Sequence, residues 1–421
     1  MKKSKECPAW FREARFGAMF TWGILSMYPL GKFYWHLPYK EYKHLARDFK
    51  PKKGWAKEWV ELMQQAGARY AVLTSKNDDG YCLFDTKTHD FCAPRTGPGR
   101  DLIAEYVDAC RRAGIKVGIY YNTGDWRLAM SPTGPDPKSS GYSEYKETQH
   151  AQIEELCKNY GPLDLWWWDN HGLADAKNIL AKMRRWQPAM IMNDRAHKDV
   201  KGDFSTPEKR NARPADPDRM WEVCMTSNHH WQYMGPEENQ YMSLREAMMW
   251  LVGVACGKGN FLLDIGPKPD GGIPAGARGL FEGIGAWMDR NGESLHGSDD
   301  NVVLGSHCEG ATAKGNATYL HIFFYDRIHR EVMLFAPCCK VISAGILATG
   351  QKLAVKQDGI RVVISGLPEE APDGNNTVIK LITDVSVETQ KKRLGGQPIW
   401  DRVKQENIAQ PSAFWVKKES R

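Results

Sequence analysis

The sequence predicts an α/β fold: a (β/α)8-like TIM barrel over residues 1–297, then an antiparallel β-sandwich over residues 298–421. Three observations lead there. Apolar, strand-like runs alternate with helix-spaced stretches from residue 15 to about 290, the βαβ pattern of a parallel sheet. That length suits a closed barrel better than an open sheet. After Gly297 the texture changes to short apolar runs separated by Gly, Pro, Asn and Asp, as in antiparallel sandwiches.

The elements follow in order. Ala14 to Gly23 reads as a first strand running into a loop. Trp55, Trp59, Leu62, Met63 and Ala66 fall at helical spacing before a Gly67 stop. Arg69–Ser75 is a second strand and Ile115–Tyr121 a third, with a helix over 100–113 between them. A helix over 143–159 ends at the Gly161-Pro162 turn signal. The run Leu163-Asp164-Leu165-Trp166-Trp167-Trp168-Asp169 follows, a fourth strand buried on both faces that stops on an acid. A helix over 174–186 leads to Met190–Asn193. Asp218–Cys224 and Asn260–Ile265 are further strands, with Leu244–Val254 a helix between them and Phe281–Asn291 the last helix. Seven strands are legible, so closure of the barrel is an inference. Beyond Gly297, runs at 302–304, 318–324, 331–335, 360–364 and 378–382 supply the sandwich, and the polar tail after 384 carries no assignment.

Composition narrows the function. The chain has 421 residues, 42% hydrophobic and 26% charged, which excludes a disordered protein. A net charge of +6 without a basic block gives no nucleic-acid footprint. No stretch reaches the roughly 18 apolar residues of a membrane helix. The N-terminus lacks an apolar signal core, which predicts a cytoplasmic chain, or a periplasmic or secreted one whose signal has been removed. Ten cysteines include no C-x-x-C pair, so no metal site is expected, and no cofactor. Sixteen tryptophans favour a flat ligand such as a sugar, alongside core filling.

Polar groups collect at predicted strand ends, where the rim of a barrel gathers catalytic residues. They include Thr21 and Trp22, Asn77 and Asp78, Tyr121, Asp169 and His171, Asn193 and Glu222. Asp169 and Glu222 form a candidate hydrolytic pair, of the kind retaining glycosidases hold about 5–5.5 Å apart. Trp167 and Trp231 are candidate sugar platforms. Glu208 and Glu237 are the next carboxylates in line should Glu222 prove inactive.

Several motifs carry a resemblance. They are Trp10-Phe-Arg-Glu-Ala-Arg-Phe-Gly17 with Trp22-Gly23, Ala66–Thr74 with Asp79–Asp85, Gly202-Asp-Phe-Ser-Thr-Pro-Glu208, Trp221–Thr226, and Gly259–Gly271 with Asn291-Gly-Glu293. In this order, over roughly residues 8–297, they resemble the α-L-fucosidases of glycoside hydrolase family 29. The resemblance implies a barrel with a C-terminal sandwich and a retaining exo-α-glycosidase acting on an oligosaccharide or glycoconjugate. It implies Asp169 as nucleophile, with Glu222 the candidate acid/base. The family's sugar-binding histidines are replaced by Thr21, Asn77 and Asp78, which keep hydrogen-bonding capacity with different reach and charge. A site refitted to a related sugar such as an α-L-galactoside is expected. The alternatives are a catalytically impaired sugar-binding protein, or a metal-dependent hydrolase using Asp78, Asp79, Asp169 and His171.

Overall fold

The computed structural model describes residues 7–28, 37–128, 135–211, 213–214, 216, 218–236, 240–305 and 308–409. Two compact units divide the chain: Met1–Met242 with Asn260–Gly285, and Ser243–Gly259 with Ala286–Arg421.

The first unit is built on a curled parallel sheet of seven strands. They are β1 (Phe16–Phe20), β2 (Tyr70–Lys76), β3 (Lys116–Asn122), β4 (Leu165–Asp169), β5 (Ile191–Met192), β6 (Glu222–Thr226) and β7 (Asn260–Ile265). Their order is β5-β4-β3-β2-β1-β7-β6. Between β5 and β6, the segment around Phe204–Glu208 makes parallel bridges to both sides: Asn193 to Phe204, Ser205 to Trp221 and Glu208 to Cys224. Burial on both faces explains the near-continuous apolar strands. Helices α1 (Ala9–Ala14), α2 (Tyr39–His44), α3 (Trp55–Gln65), α4 (Leu102–Arg112), α5 (Tyr142–Asn159) and α6 (Ala176–Trp186) belong to this unit. Asp101 caps α4 by accepting the Ala104 N–H at 2.8 Å, which fixes where the helix starts.

Inside the curl, Met19, Tyr70, Val72, Tyr120, Leu165, Trp167, Ile191, Cys224 and Leu262 pack as one cluster with Phe11 and Phe204. Gly17 has a clear reason to be glycine. A Cβ there would stand 2.4 Å from the Tyr70 ring, so the missing side chain lets that ring cross the interior. Asn260 ties α1 to the start of the strands, donating to the Phe11 carbonyl at 2.8 Å and accepting the Arg15 N–H at 2.9 Å.

The second unit carries α7 (Leu244–Cys256), capped by the Ser243 hydroxyl on the Glu246 N–H, and a nine-stranded antiparallel sheet. Its strands are β8 (Asp299–Asp300), β9 (Leu304–Gly305), β10 (Gly310–Lys314), β11 (Ala317–Ile322), β12 (Glu331–Phe335), β13 (Val341–Ile346), β14 (Lys352–Asp358), β15 (Arg361–Ser365) and β16 (Thr377–Thr383). Strand β8, two aspartates, escapes the sequence reading, as do β10, β13 and β14, whose apolar alternation is broken by Gly, Ser and Lys. The unassigned tail forms α9 (Val387–Leu394) and α10 (Ile399–Ala409), after α8 (Ala275–Asn291). Among the described residues no helix is long and apolar enough to cross a membrane.

Candidate active site

Alternation along β4 builds the site. Leu165, Trp167 and Asp169 share the inner face, where Leu165 and Trp167 join the interior cluster. Trp166 and Trp168 point the other way and pack 5.0 Å apart, both beside Tyr121. Only one of the three tryptophans therefore faces the interior. The register pairs Tyr120 with Trp167 and Asn122 with Asp169, so β3 presents its own inner residues beside them. The Tyr120 and Trp167 rings stack at 5.5 Å.

Asp169 ends its strand at the rim. Tyr120 donates its hydroxyl to Asp169 Oδ2 at 2.8 Å. Arg195 Nη1 approaches Asp169 Oδ1 at 3.4 Å and Glu208 Oε2 at 2.9 Å. Both carboxylates thus reach one guanidinium nitrogen. Arg195 is itself fixed: Nε donates to the Thr206 hydroxyl at 3.1 Å, Nη2 to the Thr206 carbonyl at 2.8 Å, and the guanidinium lies 4.7 Å from the Trp167 ring centre. Burial, with Asp169 beside it, pushes the Tyr120 pKa well above the phenol range, so this hydroxyl stays a donor.

Beyond Asp169 the backbone turns sharply. Asn170 and His171 both take left-handed conformations, at φ 70° and 56°. Such strain persists where the surroundings fix it. Here the Asn170 side chain donates to Asn122 Oδ1 at 2.8 Å, and the His171 N–H donates to the Arg195 carbonyl at 3.0 Å. The His171 side chain is exposed. It contributes its backbone to the site frame, and among the described residues its imidazole has no partner in the rim network.

Glu222 does not reach this rim. It begins β6, whereas the sequence places it near a strand's end. Its carboxylate is fully buried, accepting the Trp167 indole N–H at 2.9 Å on Oε1 and the Tyr70 hydroxyl on Oε2. Burial pushes its pKa up to about 7, against hydrogen bonds from Tyr70 and Trp167 that pull it down. Glu222 is therefore a floor residue beneath Trp167.

The remaining candidates divide. Tyr121 points outward and donates to Gln152 Oε1 at 2.7 Å, so it belongs to the helix layer, and Tyr120 takes the inner position expected of it. Trp22 is buried among Phe49, Trp55 and Trp59, its indole donating to the Lys268 carbonyl at 2.9 Å, and offers no sugar platform. Thr21 is buried and donates to Asp264 Oδ1 at 2.7 Å. Asn77 accepts from Asn122 Nδ2 at 3.1 Å and from the Asp78 N–H at 2.8 Å, which joins it to the Asp169 network. Asp78 is half-buried, with its pKa raised to about 7 by burial and by Asp79 and Asp169 nearby. Trp231 packs part-buried on the interior cluster, with Lys209 Nζ 5.0 Å from its ring centre. Asn193 is buried and donates to the Trp168 carbonyl at 3.0 Å. Glu237 lies outside the described residues.

Tyr120 and Arg195 are the residues the sequence reading missed. Tyr120 was legible from the partner register alone. Arg195 sits three residues past β5 and has no local signal, since the Thr206 segment brings it to Asp169. Among the described residues no three His, Cys, Asp or Glu side chains form a metal-holding cluster.

Comparisons with known proteins identify the family. The family profile described as Alpha-L-fucosidase matches residues 1–293. The chain is 28% identical to human tissue alpha-L-fucosidase over 414 residues, 87% of each sequence. It is 27% identical to the Dictyostelium discoideum alpha-L-fucosidase over 366 residues, 76% of this chain and 78% of the relative. Among solved structures, alpha-L-fucosidase isoenzyme 1 from Paenibacillus thiaminolyticus superposes with a TM-score of 0.80 at 30% identity, covering 89% of this chain and 98% of that one.

Proposed function

Because the chain belongs to the α-L-fucosidase family of glycoside hydrolases, we propose that it cleaves terminal α-L-fucosides, or a closely related glycoside, with retention at the anomeric carbon. The observation that carries this reading is the single Arg195 nitrogen shared by Asp169 and Glu208. It supports Asp169 as the nucleophile and Glu208, in place of Glu222, as the acid/base.

In the first step an Asp169 oxygen attacks the anomeric carbon as the bond to the leaving oxygen breaks, and Glu208 gives that oxygen its proton. A covalent glycosyl-enzyme results. In the second step Glu208 takes a proton from water, which attacks the same carbon and releases Asp169. Tyr120 and Arg195 stabilise the Asp169 carboxylate before attack and after release. Glu208 is partly open to solvent, as a group that protonates a departing aglycone must be. Glu222, sealed under Trp167, supports the platform and has no route to the leaving group.

Two structural readings go with this. The bridges of Phe204–Glu208 to both β5 and β6 support closure of the sheet into an eight-membered barrel. The nine antiparallel strands support a sandwich over residues 298–421, with residues 1–297 catalytic. The substrate is an oligosaccharide or glycoconjugate. The impaired sugar-binding alternative gains nothing from the relatives, which carry the names of hydrolases.

Hydrolysis of p-nitrophenyl α-L-fucoside followed by proton NMR tests the reading. The α-anomer of the free sugar should appear first and then mutarotate. First appearance of the β-anomer would mean inversion and would exclude the covalent mechanism.

A further inference from the structure

Arg195 contacts both carboxylates of the proposed mechanism, so the groups that fix Arg195 bear on the chemistry. A guanidinium carries five N–H donors in one rigid plane. Most of those on Arg195 go to groups already described. Nε donates to the Thr206 hydroxyl, Nη1 to Asp169 and Glu208, and Nη2 to the Thr206 carbonyl. The remaining N–H meets a thiol: Arg195 Nη2 donates to Cys224 Sγ at 3.6 Å.

Cys224 is fully buried on β6. It follows Glu222 by alternation on the inner face, one step nearer the rim than that floor residue. Its backbone brackets Glu208. The Cys224 N–H donates to the Pro207 carbonyl at 3.3 Å. Its carbonyl accepts the Lys209 N–H at 3.0 Å, where the chain turns through a left-handed φ of 51°. The S–H has its own acceptor in the Pro207 carbonyl, at 3.9 Å from Sγ. One residue thus touches the chain on either side of Glu208 and also the cation that Glu208 shares with Asp169.

We propose that Cys224 is a positioning residue for the acid/base, occupying the last guanidinium N–H and thereby keeping Nη1 in reach of both Asp169 and Glu208. The proposal rests on the glycosidase reading above. Sulfur fits this place. A neutral thiol accepts weakly, so it fixes the guanidinium without drawing charge away from the two carboxylates. Burial raises the Cys224 pKa well above the thiol range, which keeps it neutral. A carboxylate there would compete for the cation, and an alcohol oxygen, on a shorter bond, would stand farther from Nη2. With no acceptor, a buried charged donor is left unmet and the guanidinium tilts toward other partners. Glu208 then loses part of the cation that favours its charged form, and its pKa rises.

The test measures kcat/KM against pH for phenyl α-L-fucoside, whose leaving group needs its proton, in the parent, Cys224→Ala and Cys224→Ser, with thermal midpoints alongside. The basic limb reports the essential acid of the free enzyme, here Glu208. In Cys224→Ala that limb should move up by about half a pH unit or more, and the value at the optimum should fall roughly tenfold. Cys224→Ser keeps a polar acceptor and serves if the alanine variant does not fold. It should show the same upward shift at smaller size. A limb within about 0.2 of a pH unit of the parent's in the folded variants, whatever their thermal midpoints, confines Cys224 to packing and overturns the proposal, as does a limb that moves down. Either result leaves the glycosidase reading standing. No release of phenol by the parent removes that reading and this inference with it.

Discussion

Two carboxylates in the parallel sheet make an instructive contrast. Asp169 closes β4 and Glu222 opens β6. Both point inward, and both lie within a few ångströms of aromatic side chains. One ends at the rim, held by Tyr120 and Arg195 beside the partly exposed Glu208. The other is walled in on the floor by Tyr70 and Trp167. In a parallel sheet every strand runs the same way, so position along the strand decides between chemistry and support. A raised pKa does not decide it. Glu222 has the shifted carboxyl expected of a general acid, yet its cause is burial between Tyr70 and Trp167.

The largest expected effect sits at the rim. Asp169→Asn should lower turnover on any active glycoside by several orders of magnitude with the thermal midpoint little changed, because in the proposed mechanism Asp169 forms the covalent intermediate. Near-normal turnover by the purified variant would move the nucleophile off β4.

The acid/base sharpens the contrast. Glu208→Ala should slow substrates with poor leaving groups by roughly 10²–10⁴-fold, and activated nitrophenyl substrates by much less. Azide should restore part of the lost rate, since it needs no general base. Glu222→Gln should show neither the leaving-group dependence nor azide rescue. If these two behaviours exchange between Glu208 and Glu222, the floor and rim assignments are reversed.

The floor should speak through stability. Glu222 has a folded pKa of about 7 against an ordinary value of 4.5. The folded state therefore binds more protons than the unfolded state between those values. By linkage, the group's contribution is fully present below about 4.5 and is lost as pH rises through about 7. Glutamine keeps both hydrogen-bonding positions without a charge. The thermal midpoint of Glu222→Gln relative to the parent should therefore rise by a few degrees between pH 5 and pH 8. A constant difference across that range would mean that Glu222 titrates no differently in the fold than in the unfolded chain.

How much of this was legible depends on what the sequence encodes locally. The alternation of elements, the family motifs and the acid at the end of Leu165–Asp169 all sit in short contiguous stretches. The start of β6 does not. The apolar run from Trp221 fits a strand ending at Cys224 as well as one ending at Thr226, and that small shift carries Glu222 from rim to floor. Inward and outward faces are equally hidden. Strands buried on both sides show no alternation, so Trp166, Trp167 and Trp168 look alike in sequence. Arg195 becomes part of the site only through Thr206 and Glu208, contacts that exist in three dimensions alone.

The finest test of facing uses adjacent tyrosines. Tyr120 and Tyr121 are chemically identical neighbours on β3, and alternation sends them to opposite sides. Tyr120→Phe removes a donor to the Asp169 carboxyl group, an interaction of about 1.5–3 kcal/mol where the acceptor carries charge. Activity should fall roughly ten- to a hundredfold if most of that is felt in the transition state. Tyr121→Phe leaves Gln152 Oε1 without its hydroxyl donor, among buried contacts to Thr88 and His89. That should cost about 1–3 kcal/mol of folding stability, because a buried acceptor loses its partner. Its kcat/KM should stay within twofold of the parent, since the Tyr121 hydroxyl bonds Gln152 and not Asp169. Steady-state kinetics and urea unfolding on the two variants separate the effects. Equal kinetic losses in both would mean that β3 does not divide the rim from the helix layer, and the inward assignment of Tyr120, Trp167 and Asp169 would have to be redrawn.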